Sequence, residues 1–367
     1  MIIVAKLIVG FALLVAGGEL VVRGASNIAT TMGMSKLLVG LTVVAFGTSA
    51  PELAICLDAV WIGKPDIALG NIVGSNISNV LLILGLTATI FPIVIHRQIV
   101  QREVPIMIGV SLLFFLLTID GVLHPAEGIV LVVGMAVFVY WQIRYENRVK
   151  LQNDNLDSSQ GSADSISPMP DETKTSVHSI WIGLLFVGFG IVCLWFGAGW
   201  LVNSASEMAT ELGVSKLVIG LTIVAIGSSA PEIVTSLLAA KRGHPELAVG
   251  SVIGSNIANL LLVGGTTAAF SPVINVPPEA FQFDIPVMLV ASIACLPIFA
   301  TGHTIDRWEG VFFLFCFAAF NAVVFLKPVL NDSLPAWQQL VWPFAIPIVL
   351  VTCLAVALHN FKAAQNT

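Results

Sequence analysis

Two copies of one pair of polar motifs, set 180 residues apart, constrain this chain more than any other feature of its sequence. GTSAPE at 47–52 returns as GSSAPE at 227–232. GNIVGSNISN at 70–79 returns as GSVIGSNIAN at 250–259, with the same offset. A repeat at one fixed spacing predicts two halves built on the same plan.

The repeat is embedded in apolar sequence. Residues 33–85 align with 213–265 without a gap, and about half of the positions are identical. Hydrophobic residues make up 57% of the chain and charged residues only 10%, whereas a soluble domain carries about 25% charged residues. Because so little charge cannot cover a surface in water, the main solvent of this chain must be lipid.

Apolar runs of membrane-spanning length recur along the whole chain. They do not alternate with a period of two, which favours helices over a β-barrel. We therefore predict an all-α polytopic membrane protein. The first run begins next to Met1 and has no cleavage site, so it is interpreted as a retained helix. The eleven predicted spans lie near 2–27, 36–62, 66–92, 103–119, 125–145, 178–208, 215–241, 246–271, 284–301, 308–326 and 338–359.

One polar stretch, which contains QNDNLDSSQGSADSISPMPDETKTS, divides the apolar sequence in two. It has too few large apolar residues to fold alone, which predicts a flexible linker. The predicted domains are a first five-helix repeat at 1–145, the linker at 146–177, a second five-helix repeat at 178–327, and an extra C-terminal helix with its tail at 328–367.

The distribution of basic residues predicts the orientation. With the N-terminus outside, twelve of the sixteen Lys and Arg residues fall inside, which obeys the positive-inside rule. The linker is then cytoplasmic, and the membrane is interpreted as an inner (plasma) membrane. Because five helices precede it, the second repeat enters the membrane from the opposite side. Inverted repeats with interrupted helices are typical of secondary transporters, whose substrate site lies near the midplane.

Glu52 and Glu232 stand near the middle of their predicted spans, about 16 residues from the start at a rise of 1.5 Å per residue. A carboxylate at that depth is expensive unless a cation, a proton or a polar cavity accompanies it. Inverted symmetry would bring the two together at one central point. The alternative is a protonated acid that bonds a neighbouring helix.

A proline precedes each of these glutamates. Pro51 and Pro231 remove a backbone donor, which predicts freed carbonyls near 45–48 and 225–228 that could ligate a hard cation. Hydroxyl groups adjoin them, although back-bonding to their own helix is the alternative for each. These hydroxyl residues are Thr48, Ser49, Ser228 and Ser229.

The second motif of each half adds amides and further hydroxyls. Residues four apart in it share one helix face and could supply oxygens to the same cavity. They are Ser75, Asn76, Asn79, Ser255, Asn256 and Asn259. The glycines Gly70, Gly74, Gly250 and Gly254 are interpreted as close-packing faces, with local unwinding as the alternative.

The donor set contains oxygen only. Two carboxylates with amide, hydroxyl and carbonyl oxygens suit hard cations such as Ca²⁺ and Na⁺. The histidines and cysteines lack metal-ligand spacing, so we expect no metal site built on them. No basic cluster indicates nucleic acid as a partner. We expect no cofactor, no enzymatic activity and no obligate protein partner, and the expected partners are the bilayer and the ions Ca²⁺ and Na⁺. An intramembrane protease is disfavoured, because no membrane-embedded histidine accompanies Ser49 as a base. A passive cation channel fits the polar pore but not an inverted repeat with one acidic pair.

These paired motifs resemble the two α-repeats of the cation/Ca²⁺ exchanger superfamily, and are similar to those of the prokaryotic sodium/calcium exchangers. The resemblance implies a ten-helix core that exchanges Na⁺ for Ca²⁺ by sliding of the first and sixth helices. It implies that Glu52 and Glu232 are the central Ca²⁺ ligands, joined by Thr48 and Ser228. The implied flanking Na⁺ ligands are Ser49, Ser75, Ser229, Ser255 and the carbonyls near Ala45 and Ala225.

The chain departs from this family pattern in two places. Asn259 stands where many sodium/calcium exchangers and the K⁺-dependent branch carry an acid, which argues against K⁺ dependence. It also keeps a Ca²⁺/H⁺ antiporter as the alternative function. The predicted eleventh helix is extra to the ten-helix core, and we interpret it as a peripheral packing helix.

Overall fold

A computed structural model describes residues 2–160, 177–212, 227, 229–300 and 302–326 of the chain. The structure of this part is almost entirely helical. Its helices are α1 (Ile2–Met32), α2 (Lys36–Trp61), α3 (Pro65–Ile90), α4 (Ile99–Leu117), α5 (Pro125–Gln160), α6 (Val177–Glu211), α7 (Ala230–Lys241), α8 (Pro245–Ala269), α9 (Ala280–Ala300) and α10 (Arg307–Leu326).

Nine of these helices, within the described residues, are long and apolar enough to cross a membrane, so the chain is an integral multi-pass membrane protein. Helix α7 is too short in the described residues to count as a tenth span, because the first part of the span predicted near 215–241 lies outside them. The span predicted near 338–359 lies outside them as well.

Within the described residues, five of the membrane helices contain a π-helical turn. Those in α3 and α8 begin at the last asparagine of the second motif, Asn79 and Asn259, so both halves carry the same deformation. Those in α4 and α9 begin at Ile99 and Ala280, earlier than the predicted starts at 103 and 284. The fifth is Gly40–Val44 in α2. Such turns often mark functional sites.

Helices α1 and α6, which are equivalent in the repeat, pack antiparallel with their backbones in close contact. A Cβ added at Gly10 would lie 3.0 Å from the Gly197 carbonyl, and one at Gly24 would lie 2.6 Å from the Gly183 carbonyl. Because numbers rise along α1 while they fall along α6, the equivalent helices run in opposite directions. This geometry agrees with the predicted inverted repeats.

Two small sheets also join the halves. Strand β1 (Ile93–Val94) pairs antiparallel with β4 (Thr304–Ile305), and β2 (Val122–Leu123) pairs with β3 (Ile274–Asn275). Each sheet therefore takes one strand from each repeat. The connections of the two halves are tied together at both places.

The core lies around α8. Within its most apolar window 94% of the residues are buried, against 22% for α1. Close approach of α2 allows this burial, since a Cβ at Gly254 would lie 2.5 Å from the Leu41 carbonyl. Gly250 likewise faces the Leu37 carbonyl at 2.8 Å. The packing interpretation is thus confirmed for these two glycines.

Helix α5 extends further than the sequence predicts. It continues to Gln160, so 146–160 is helical although its composition predicts the start of a flexible linker. The prediction is corrected here because a polar helix that continues a membrane span needs no burial of its own. Glu146 is also fixed, since its carboxylate accepts the Ser35 backbone N–H at 2.6 Å. The rest of the predicted linker, 161–176, lies outside the described residues.

Glu19 forms the ion pair with Arg23 that their spacing on α1 suggests, at 2.5 Å. The structure adds a second partner, Arg242 at the end of α7, whose Nε donates to Glu19 Oε2 at 2.7 Å. Glu19 therefore links the peripheral helix α1 to α7 in the core.

Candidate cation site

The GTSAPE motif interrupts helix α2 beside Glu52, and helix α7 begins within the GSSAPE motif beside Glu232. The α-helical turn Ala45–Thr48 of α2 ends at Ser49, and a new segment starts at Ala50 with Pro51 in its first turn. Helix α7 starts in the same way after Ser229. Glu52 and Glu232 thus lie in the first turn of helical segments, where unpaired N–H groups favour negative charge.

The structure corrects the prediction for the Ala45 carbonyl. It accepts the Ser49 backbone N–H at 3.0 Å and, weakly, the Thr48 hydroxyl at 3.4 Å, so the proline does not free it. Pro51 instead removes the donor that would reach Gly47. A carbonyl has two lone pairs, so Ala45 retains some capacity to ligate a cation. Ala225 lies outside the described residues.

Glu52 and Glu232 are brought together in the core. Each is only 2% exposed, and their charges interact electrostatically. The Thr48 hydroxyl also interacts with the Glu232 carboxylate. Within the described part of the chain, Oε2 of each glutamate has no hydrogen-bond partner. Two such carboxylates repel one another unless a cation or a proton lies between them.

Asparagines of α3 and α8 donate hydrogen bonds through their side-chain nitrogens. Asn79 Nδ2 donates to Asn256 Oδ1 at 3.0 Å, and Asn76 Nδ2 donates to the Ile72 carbonyl at 2.8 Å. Among the described residues, Asn76 Oδ1 and both amide atoms of Asn259 lack partners. The free oxygens are therefore available as acceptors for a cation.

The hydroxyls that the structure describes are all buried, but not all of them interact with the carboxylates. Ser255 Oγ lies 3.4 Å from Thr48 Oγ1, which joins α8 to α2. The Ser49 hydroxyl neither back-bonds nor meets any partner within the described chain. Ser75 and Ser229 are buried, at 6% and 2% exposed. Ser228 lies outside the described residues.

The charge of the site comes from this one acidic pair. Nowhere in the described ranges do three or more His, Cys, Asp or Glu side chains form a metal-binding group. A bound cation would therefore meet two carboxylates and otherwise neutral oxygens, which fits a hard cation such as Ca²⁺ or Na⁺.

A serine pair that sequence reasoning missed lies between the halves. Ser111 Oγ of α4 is 3.2 Å from Ser292 Oγ of α9, and each hydroxyl also donates to the carbonyl four residues earlier. The two occupy nearly equivalent positions in the repeat, 181 residues apart. Their contact is what a pseudo-two-fold axis between α4 and α9 would produce. A serine recurring at this offset in apolar sequence was the available signal.

A polytopic helical membrane fold with two buried carboxylates among neutral oxygens is the arrangement expected of a cation transporter. A family model described as sodium/calcium exchanger protein matches residues 2–144 and 182–326. Since this is most of the chain, the protein belongs to the sodium/calcium exchanger family.

Curated relatives cover most of the chain. The sodium/calcium exchanger MaX1 of Methanosarcina acetivorans is 33% identical over 87% of this chain and 97% of its own length. The inner membrane protein YrbG of Escherichia coli is 33% identical over 79% of this chain and 86% of its own length. A solved structure of the sodium-calcium exchanger NCX_Mj, soaked with Na⁺ and Sr²⁺, is 28% identical with a TM-score of 0.71, and the match covers 86% of this chain and 97% of that one.

Proposed function

We propose that this protein is a secondary antiporter that exchanges Na⁺ for Ca²⁺ by alternating access. The observation that carries the proposal is the buried pair Glu52 and Glu232, whose Oε2 atoms meet no partner among the described residues although the charges of the two carboxylates interact. A Ca²⁺ ion neutralises both charges at once, as Na⁺ ions can in its place. Exchange follows because the two occupancies exclude one another.

In the proposed site, Glu52 and Glu232 hold Ca²⁺ together with Thr48 and Ser228. The flanking Na⁺ positions use hydroxyl, amide and carbonyl oxygens of the two motif pairs. These flanking ligands are Ser49, Ser75, Asn79, Ser229, Ser255, Asn259, Ala45 and Ala225. The contact of Thr48 with Ser255 and with Glu232 supports this grouping.

The proposed motion is a sliding of α1 and α6 against the core. Their close backbone contact along the glycines supports movement as one body. The low burial of α1 supports the same view, since a helix that faces lipid can shift without repacking the core. We place the N-terminus outside an inner (plasma) membrane and the linker in the cytoplasm.

One observation favours a second candidate, a Ca²⁺/H⁺ antiporter. Asn259 is neutral and 1% exposed, where the family resemblance leads one to expect an acid. One fewer charge weakens the case for several Na⁺ ions. Protons on Glu52 and Glu232 could then replace Na⁺ as the competing charge.

Ion gradients across vesicles distinguish the two candidates. In inside-out vesicles that contain the protein, we expect an outward Na⁺ gradient to drive ⁴⁵Ca²⁺ uptake, and a pH gradient alone to drive none. Uptake that responds only to the pH gradient would replace Na⁺ by H⁺. Uptake that is neither coupled nor saturable would indicate a channel.

Substitution tests the site itself. Glu52→Gln and Glu232→Gln each remove one charge from the pair and should abolish the uptake. The matched control is Glu211→Gln, the same change at an exposed position at the end of α6, which should retain it. Full uptake by both core variants would refute the assignment.

A further inference from the structure

One turn beyond Glu52, the first repeat fills its interior with a thiol and an amide. Cys56 Sγ accepts a hydrogen bond from Asn71 Nδ2 at 3.3 Å and lies 3.6 Å from the Ala68 carbonyl. The Thr267 hydroxyl of α8 is also close enough to interact with this thiol. Cys56 and Asn71 are thus engaged with each other, although the Thr267 hydroxyl forms no hydrogen bond within the described residues.

At the symmetry-related level, 180 residues away, stand three hydroxyls. Ser236 on α7 and Ser251 on α8 correspond to Cys56 and Asn71, and Thr87 on α3 of the first repeat corresponds to Thr267. Ser236, Ser251 and Thr87 are 1%, 2% and 1% exposed. The same segments pack together as in the first repeat, since α7 contacts both α8 and the last turns of α3. Yet none of the three hydroxyls has a hydrogen-bond partner within the described residues. Three buried polar groups without partners at one level need a ligand or a large energetic compensation.

The size of the side chains explains why these hydroxyls do not reach one another. Ser251 has a hydroxyl where Asn71 has a whole carboxamide, and Ser236 has a small oxygen where Cys56 has a larger sulfur. At this level the second repeat therefore carries less side-chain volume than the first, although equivalent helices pack together in both. Any space between these hydroxyls would be lined by oxygen, so it would suit a small polar ligand rather than an apolar group.

The position next to Glu232 indicates which ligand. Ser236 follows Glu232 by four residues, so both lie on one face of α7. In the first repeat the charge of Glu52 acts on Cys56 at the equivalent place. A ligand among the hydroxyls would therefore sit in the field of Glu232, whose Oε2 meets no partner among the described residues.

We propose that Thr87, Ser236 and Ser251 form, with Glu232, an additional binding site for one Na⁺ ion on one side of the carboxylate pair. Three hydroxyl oxygens and one carboxylate suit a hard monovalent cation, while one charge is few for Ca²⁺. The first repeat cannot offer the same site, because its sulfur is a poor ligand for Na⁺ and its amide fills the space. The proposal rests on the proposed function, and it places this Na⁺ site on only one side of the carboxylate pair.

The test fills the site with the side chains of the first repeat. The double variant S236C/S251N reproduces a set that the protein already packs around Cys56 and Asn71. In vesicles, we expect the Na⁺ concentration for half-maximal Ca²⁺ exchange to rise about fivefold or more, as for the loss of one favourable ligand contact. The Ca²⁺ dependence should stay unchanged. The reciprocal variant C56S/N71S is the matched control and should leave the Na⁺ dependence of exchange no weaker.

Exchange of ⁴⁵Ca²⁺ against Ca²⁺, which needs no Na⁺, reports whether each variant is folded. If S236C/S251N loses it, Thr87→Val decides instead, because it removes one hydroxyl and keeps the shape. Unchanged Na⁺ dependence in the folded variant would overturn the site and show that it holds water only.

A binding measurement keeps the site separate from the function. Na⁺ should raise the melting temperature of the purified protein in Ca²⁺-free buffer, and the variant should lose part of that rise. If the wild-type exchange proves independent of Na⁺, the proposed function fails. The site would still stand if Na⁺ stabilises the wild type more than the variant, and it would fall if both respond equally.

Discussion

Replacement of Gly190 on α6 by alanine tests the close packing of α1 against α6. A Cβ at this position would lie 2.8 Å from the Gly17 carbonyl oxygen, 2.8 Å from Val21 Cγ2 and 2.9 Å from Val21 N. Normal contacts of a carbon atom are about 3.5–4.0 Å. Two of these three atoms belong to the backbone, so the helices must separate to accept the methyl group.

The matched control is Gly188→Ala on the same helix. Gly188 is exposed, and a Cβ there would meet no atom of the described structure within 4 Å. Both variants gain the same helix propensity, about 0.8–1.0 kcal/mol relative to glycine. Their difference therefore isolates the steric term, which for overpacking is about 1–3 kcal/mol.

The assay is reversible unfolding of the purified protein in mixed micelles. We expect Gly190→Ala to unfold more easily than Gly188→Ala by this 1–3 kcal/mol margin. We also expect Gly17→Ala to behave like Gly190→Ala, because its Cβ would lie 2.7 Å from the Gly190 carbonyl.

Equal stability of Gly190→Ala and Gly188→Ala would refute the packing argument. It would mean that α1 and α6 can separate at no cost, and that they do not move as one body. A loss in both variants would point instead to the lipid-facing surface of α6 and would refute it equally.

Two further predictions concern the charges near the site. Asn259→Asp adds a third carboxylate where neither amide atom has a partner among the described residues. It should change the Na⁺, K⁺ or pH dependence of Ca²⁺ uptake and leave the melting temperature in saturating Ca²⁺ unchanged. An identical cation dependence would show that this position does not contact the ions. Glu19→Gln removes the ion pair between α1 and Arg242. The transport rate should change by up to about fivefold, because an ion pair that exists in one state of α1 only is worth about 1 kcal/mol. An unchanged rate at low salt would show that this contact persists while α1 moves.

The repeat made the central pair of the site predictable. Two glutamates at equivalent places in inverted halves must approach the same axis, and Glu52 and Glu232 do lie together. The break in α2 beside Pro51 was also predictable, because it follows from one residue and one missing donor. The approach of α8 to α2 through Gly250 and Gly254 has an equally local cause, the absence of a side chain.

Other features could not be predicted, because they depend on the partner across the fold. Asn79 bonds Asn256, but the equivalent Asn259 meets no partner among the described residues, so the symmetry of the sequence does not carry over to these hydrogen bonds. The π-helical turns were not predicted, since no proline or glycine rule says where hydrogen bonds change from four residues to five. The second partner of Glu19, Arg242, stands 223 positions away.

The differences between the halves bear on how an exchanger can be asymmetric. The gradients at which net exchange stops are set only by the number of ions moved in each cycle. A Na⁺ ion that binds this site from one face of the membrane and leaves to that same face cannot change that balance, because it is not carried across. It can change the apparent Na⁺ affinity and the rate on one face of the membrane.

The variant S236C/S251N should therefore show a one-sided kinetic defect without an altered balance point. With fixed Na⁺ and Ca²⁺ gradients, net ⁴⁵Ca²⁺ flux in the variant should reverse sign at the same membrane potential as in the wild type. A shifted reversal potential would mean that the ion at Thr87, Ser236 and Ser251 is itself one of the ions counted in the transport cycle. The proposed position would then be part of the coupling stoichiometry rather than an added station beside it.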